Sequence, residues 1–306
     1  MDATPVDIAL DGTGSTDPGR RAAHVPFQGN GKARSAVVHA TNGHHLSHPL
    51  SRHSAEVPAR GTVSVIIPAL NEEQNIGWVL ERMPSTVDEV ILVDGYSTDR
   101  TVEAARAVRP DIVVVRQASR GKGAALRAGF QAASCDFIVM MDADGSMDPG
   151  EIHQYVTPLL NGYDLVKGSR FLEGGGSTDL TLIRRFGSKA FVRLTNALFL
   201  VQFTDLCYGF CSFRRDCLKA LALTAHGFEI ETEIAVHAAK AELRVAEVPS
   251  MERDRLSGVS KLHAFRDGQR VLRTLMRERL SSRRRPVVDS ISERALNDWR
   301  AAAEAS

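Results

Sequence analysis

DFIVMMDADGSMDP, residues 136–149, joins a short apolar run to a pair of carboxylates. Phe137 to Met141 is continuously apolar, which predicts a strand covered on both faces, as in a parallel sheet. Asp142 and Asp144 follow immediately, two residues apart. Past a strand end both can turn toward one site. Hard oxygen ligands of this kind suit Mg2+ or Mn2+, and such an ion can bridge a diphosphate. A polar Asp-Gly turn is the plainer explanation of six such residues. The motif therefore takes its meaning from the other strand ends around it.

Three strands are predicted before it. Val63 to Ile67 is apolar and β-branched and is ended by Pro68. Glu73 to Met83 then reads as a helix, with Ile76, Val79, Leu80 and Met83 on one face. Val87 to Val93 is the second strand, ending at Asp94-Gly95. A helix follows from Thr98 to Val108, with Thr98 as a plausible N-cap. Ile112 to Val115 is the third strand, and Lys122 to Ala133 is a helix opened by Arg120-Gly121-Lys122-Gly123. After the carboxylate pair come a helix, Pro149 to Leu160, and a fifth strand from Leu165 leading into Gly168-Ser169-Arg170. This alternation predicts an α/β fold: a Rossmann-like, mostly parallel sheet with helices on both faces.

Polar and glycine residues cluster just past the strands, where open α/β sheets bind ligands. Asp94 can accept hydrogen bonds from a base or ribose. Arg120-Gly121-Lys122-Gly123 offers close backbone approach and cations suited to phosphate. It lacks the longer loop and the Ser or Thr of a Walker A motif, and no Gly-x-Gly-x-x-Gly follows the first strand, which disfavours a dinucleotide-binding dehydrogenase.

The second half is less regular. Leu182 to Leu200 reads as a partly basic helix carrying Arg184, Arg185, Lys189 and Arg193. Gly209 to Phe213 reads as an edge strand, Glu229 to Ala241 as a helix and Leu243 to Val248 as a strand. Leu262 to Leu280 is a long helix within an arginine-rich stretch. Helices with one apolar and one cationic side can lie on an anionic bilayer; a solvated basic face or a dimer contact are the alternatives.

The ordered segments VSVIIPALNEEQNI (63–76), VILVDGYSTDRT (90–101), RGKGAALRAGF (120–130), DFIVMMDADGSMDP (136–149), VKGSRF (166–171), FTDLCYGFCSFRRD (203–216) and ERDRLSGVSK (252–261) resemble family 2 glycosyltransferases of the GT-A fold. The similarity is to the catalytic domains of dolichyl- or polyprenyl-phosphate mannosyl- and glucosyltransferases. It implies a nucleoside pocket at Pro68, Ala69 and Glu72, with Asp94 on the base or ribose. Asp142, Ala143 and Asp144 would surround the donor diphosphate and a metal held by Asp142 and Asp144. Lys122, Arg255 and Lys261 would support the phosphates. Arg170 and Arg184 resemble basic residues near an acceptor phosphate, and Asp205 resembles an aspartate near the reacting sugar, a base if the acceptor were a hydroxyl.

The chain departs from this pattern at Gly95, where two aspartates are often adjacent, and at Gly145-Ser146, where Leu-Gln is frequent. The resemblance implies an inverting, metal-dependent transfer of a hexose from a nucleotide-diphosphate sugar to a polyprenyl phosphate. A soluble hydroxyl acceptor and a non-catalytic nucleotide-sugar-binding protein are the competing readings.

Bulk properties agree with a globular protein: 306 residues, 43% hydrophobic, with formal net charge +1. That charge argues against nucleic-acid binding by composition. The four cysteines lack zinc-site spacing and read as buried free thiols of a reducing compartment. No leader is legible at the N-terminus and no run reaches 18 apolar residues. A cytoplasmic protein, peripheral on the cytoplasmic membrane face, is expected. Residues 1–60, which hold six of the ten histidines, read as a disordered tail. The catalytic domain is expected over 61–250, with donor half 61–170 and acceptor half 171–250. A phosphate-contacting loop and basic helix would occupy 251–285, and a tail 286–306.

Overall fold

The computed structural model describes residues 61–259 and 263–281, together with three two-residue strands at 24–25, 36–37 and 39–40. The expected tails otherwise lie outside the described residues, as does Lys261.

Seven strands make the main sheet: β1 (Val63–Ala69), β2 (Glu89–Asp94), β3 (Val113–Arg116), β4 (Phe137–Met140), β5 (Leu165–Ser169), β6 (Cys211–Arg214) and β7 (Val245–Pro249). Their spatial order is β7-β5-β6-β4-β1-β2-β3, with His39–Ala40 added antiparallel outside β7. All neighbouring pairs among the seven are parallel except those made by β6. The GT-A, Rossmann-like architecture is therefore present.

The expected edge strand is the one misplaced element. Cys211 pairs with Met140 on one side and Lys167 on the other, so β6 lies inside the sheet and runs against its neighbours. Cys211, Ser212 and Phe213 are all buried, which erases the alternation that would mark a strand with one face in solvent.

Alternate residues of β1 enter different cores, as the period of two in a strand requires. Ile66 joins Leu126, Phe130 and Ile234 on one face. Val65 and Ile67 join Ile76, Val79 and Ile152 on the other. The first face is covered by α3 (Lys122–Ala132) and α7 (Ile230–Lys240), the second by α1 (Ile76–Glu81), α2 (Thr101–Val108) and α4 (Ile152–Leu160). α5 (Leu182–Phe199), α6 (Leu218–Leu221) and α8 (Ala264–Leu280) complete the helices, α8 lying on α5 and α7. Gly129 lets α3 approach the sheet: a Cβ there would stand 2.3 Å from Ile66 Cγ2.

Thr98 does not cap α2, which begins three residues later. Its N–H instead donates to Asn71 Oδ1 at 2.8 Å, tying the loop after β2 to the loop after β1. Cys135, Cys211 and Cys217 are buried free thiols, and Cys207 is partly buried.

Candidate active site

A cavity of about 680 Å3 opens along the C-terminal ends of β1 to β5. Pro68, Ala69 and Glu72 line it after β1, Gly95 and Tyr96 after β2, and Lys122 from the start of α3. Asp142, Ala143 and Asp144 line it after β4, and Arg170 after β5. Asp94 stands just behind this wall: it is 4% exposed and its Oδ1 accepts the Ser97 N–H at 3.1 Å.

The centre is a compact charge cluster. Lys122 Nζ lies 2.7 Å from Asp142 Oδ1 and 2.8 Å from Glu231 Oε1. Burial raises the Asp142 carboxyl, Lys122 opposes that, and the nearby Asp144 and Glu231 charges raise it further, to about 6. The two carboxylates hold the Lys122 ammonium above its ordinary range despite its own burial. With Asp142 and Glu231 on Lys122 and Asp144 beside Asp142, the cluster carries more carboxylates than ammonium and can accept a further cation. Asp142 and Asp144, two residues apart in the loop after β4, are hard oxygen donors of the kind that fits Mg2+ or Mn2+.

Glu231 lies outside every motif of the sequence. Its legible signal is a charged residue in a helix, α7, that is otherwise buried nearly all round; such a charge needs a partner.

The glycines of Arg120-Gly121-Lys122-Gly123 have a different use from the expected one. The Gly123 and Ala124 N–H groups both donate to the His226 carbonyl, at 2.9 and 3.2 Å. A Cβ at Gly121, whose φ is +119°, would lie 2.1 Å from that same oxygen. The loop is thus shaped to seat another backbone segment, and only Lys122 among its helical residues brings charge to the cavity centre.

A strap covers the Glu72 end of the cavity. Arg255 reaches both oxygens of Glu72, at 2.9 and 3.0 Å. The Arg253 N–H donates to the Ser146 carbonyl and the Leu256 N–H to the Asp144 carbonyl, at 2.8 and 3.0 Å. Gly145, with φ +77°, leaves room for Leu256: a Cβ would stand 2.5 Å from Leu256 Cδ1. The departure at Gly145-Ser146 is therefore where the strap seats.

With this geometry, residues 64–222 match the model of glycosyl transferase family 2. The chain is a family 2 glycosyltransferase. Among its relatives is the dolichol-phosphate mannosyltransferase of Pyrococcus furiosus, 32% identical over 65% of this chain and 59% of that one. The dolichyl-phosphate hexose transferase of Haloferax volcanii is 30% identical over 73% of this chain and 96% of its own. In three dimensions it is similar to glucosyl-3-phosphoglycerate synthase from Mycobacterium tuberculosis, solved with Mn2+, uridine diphosphate and phosphoglyceric acid. That match has a TM-score of 0.60 and 26% identity, covering 74% of this chain and 81% of that one.

The far end of the transferase cavity corrects one expectation. Asp205 is fully buried and holds Arg170 in a two-point pair, Nε to Oδ2 at 2.7 Å and Nη2 to Oδ1 at 3.0 Å. It does not line the cavity, so it is a positioning residue for Arg170 and not a proton acceptor in the site. Glu247, also fully buried, accepts the N–H groups of Thr204 and Asp205 and fixes this loop in turn. Burial raises the Glu247 carboxyl, with these hydrogen bonds opposing, to about 7.

Glu252 adds a second partner to Arg170 at 3.1 Å. Arg184, on the first turn of α5, lines the same end and pairs with Asp179 at 2.8 Å. Glu252 and Asp179 were not foreseen, because each is defined by an arginine distant in sequence or by a loop without periodic pattern.

Proposed function

We propose that this family 2 glycosyltransferase transfers a hexose from a nucleotide-diphosphate sugar to a polyprenyl-type lipid phosphate, with inversion, at the cytoplasmic face of a membrane. One observation carries the lipid assignment. Beside the cavity-lining Arg184, Leu182, Ile183 and Phe186 are 72%, 78% and 73% exposed. Three large apolar side chains in solvent around a cationic residue fit an anionic bilayer surface. α8 repeats the pattern: Phe265, Leu272, Met276 and Leu280 are exposed on one side, while Asp267 and Glu278 are buried on the other. No helix among the described residues is long and apolar enough to cross a membrane.

In this reading the donor lies across the strand ends, its nucleoside under the Arg255–Glu72 strap and its diphosphate near Asp142 and Asp144. A divalent metal bound there would offset charge on the leaving diphosphate. Lys122 adds a cation fixed by two carboxylates, so little reorganisation is needed as charge develops. The acceptor phosphate oxygen forms a bond to the anomeric carbon as the bond to the diphosphate oxygen breaks. That phosphate is already ionised near neutral pH, so no proton has to be removed. Arg170 and Arg184 orient it, exchanging part of their pairing with Glu252 and Asp179 for phosphate.

The soluble-acceptor reading draws support from the mycobacterial structure, solved with phosphoglyceric acid. The same two arginines would suit a small phosphorylated acceptor. The test crosses radiolabelled nucleotide sugars with polyprenyl phosphate in anionic vesicles and with phosphoglycerate, with and without Mn2+. Product in the lipid arm, reduced by Ile183→Ser together with Phe186→Ser, is the expected result. Labelling of the soluble acceptor alone, unaffected by those substitutions, would replace the lipid reading.

A further inference from the structure

We infer that Gln117 hydrogen-bonds the base of the donor nucleotide, making from the end of β3 a contact that β2, ending in Asp94-Gly95, has no side chain at 95 to make. The inference rests on the donor-site reading above and assigns it a specificity-determining residue.

Gln117 directly follows β3, lines the cavity and is only 5% exposed. Its Oε1 is buried and has no hydrogen-bond partner among the described residues. Buried polar atoms are almost always partnered, and Gln117 lines the cavity, so a small turn of its carboxamide toward the cavity would let a donor from outside the chain satisfy the orphan oxygen. A carboxamide also presents an acceptor and a donor side by side. That is the complement of a nucleobase edge, where an N–H stands next to a carbonyl or ring nitrogen. A phosphate or a metal ion would not use both.

The neighbouring strand end explains why the residue lies on β3. The Gly95 N–H donates to the Ala69 carbonyl at 2.7 Å. A Cβ at 95 would stand 3.0 Å from that oxygen and 3.6 Å from Gln117 Nε2. The backbone after β2 is thus drawn tight against β1, and the Gln117 amide lies over the glycine. Tyr96, 46% exposed with φ +66°, forms the adjoining wall, its hydroxyl 3.5 Å from the Ala118 carbonyl. Gln117 is therefore set between two residues that also line the donor end.

The test is isothermal titration of the full chain with Mn2+ and UDP, GDP, dTDP, CDP and ADP, with pyrophosphate as the base-free reference. The wild-type protein should favour its preferred nucleotide over the weakest by about tenfold or more, since a buried amide left unmatched penalises the wrong base. Gln117→Leu should compress that spread to about threefold or less, leaving pyrophosphate affinity unchanged. Gln117→Glu, which keeps the size and removes the donor, should reorder the series, and serves if the leucine variant fails to fold. An unchanged spread in either folded variant, or an equal loss of pyrophosphate affinity, would overturn the assignment of Gln117. Binding of neither nucleotide nor pyrophosphate by the wild-type protein would instead overturn the donor-site reading beneath it.

Discussion

The two ends of the cavity hold their arginines differently. At the Glu72 end Arg255, on the strap, is paired with Glu72 of the parallel half. At the other end Arg170 is buried, gripped by a fully buried aspartate whose own loop hangs from Glu247. Held by a few part-buried bonds, the strap can lift at less cost, as the nucleotide binding proposed beneath it would require. A buried pair cannot move without exposing an uncompensated charge. The Glu72 end is therefore the easier of the two to open, and the Arg170 end is fixed.

That contrast breaks most visibly at Asp205. Asp205→Ala leaves the Arg170 guanidinium buried with Glu252 alone, and should lower unfolding free energy by about 3 kcal/mol in a denaturant titration. An unchanged midpoint would mean that the buried pair is not what fixes this end. Asp144→Ala tests the centre between the two ends. It should cut metal-dependent turnover about 100- to 1000-fold while leaving the denaturant midpoint nearly unchanged. Equal activity with and without Mn2+ in both proteins would remove the metal assignment.

The strap should respond more gently. Gly145→Val forces a side chain against Leu256 at a residue with φ +77°. Donor KM should rise about tenfold with kcat little altered. Leu256→Ala in the same chain should recover part of that loss, and kinetics showing no recovery would place the strain elsewhere.

The smallest effect concerns α8, which follows the strap. Burial raises the Glu278 carboxyl, but Lys240 and His237 outweigh it and hold it at about 2. A carboxyl held below its ordinary 4.5 stabilises the folded state above that pH and loses the contribution as pH falls toward 2. Hydrogen exchange of α8 amides should accelerate over that range, and Glu278→Gln should flatten the dependence. The grouping of Glu233, His237 and Glu278 resembles a metal site in outline. Lys240 Nζ, 3.0 Å from Glu278 Oε2, and Arg277 Nη2, 3.2 Å from Glu233 Oε1, already supply its cations.

The parallel half was legible because each of its elements carries its own signal. Val63 to Ile67, Val90 to Val93 and Phe137 to Met141 are largely apolar runs ended by Pro or Asp. A parallel sheet places whatever follows them on one edge, so Pro68, Glu72, Asp142 and Asp144 converge as expected. Elsewhere a motif misled when its partner was remote. The glycines at 121 and 123 resemble a phosphate cradle until His226 is seen against them. Asp205 resembles a base until Arg170 is seen around it.

By itself, then, the sequence determined the alternating α/β order, the family and the strand ends that line the cavity. These are properties of local period and of residues fixed to the ends of their own strands. Only the tertiary structure decided that β6 runs antiparallel inside the sheet and that Glu231 shares Lys122 with Asp142. It likewise decided that Asp205 serves Arg170 and that Gln117 is left with an unmatched oxygen. Each of those depends on which distant segment fills the remaining hydrogen bond or neutralises the remaining charge, and no local pattern records that choice.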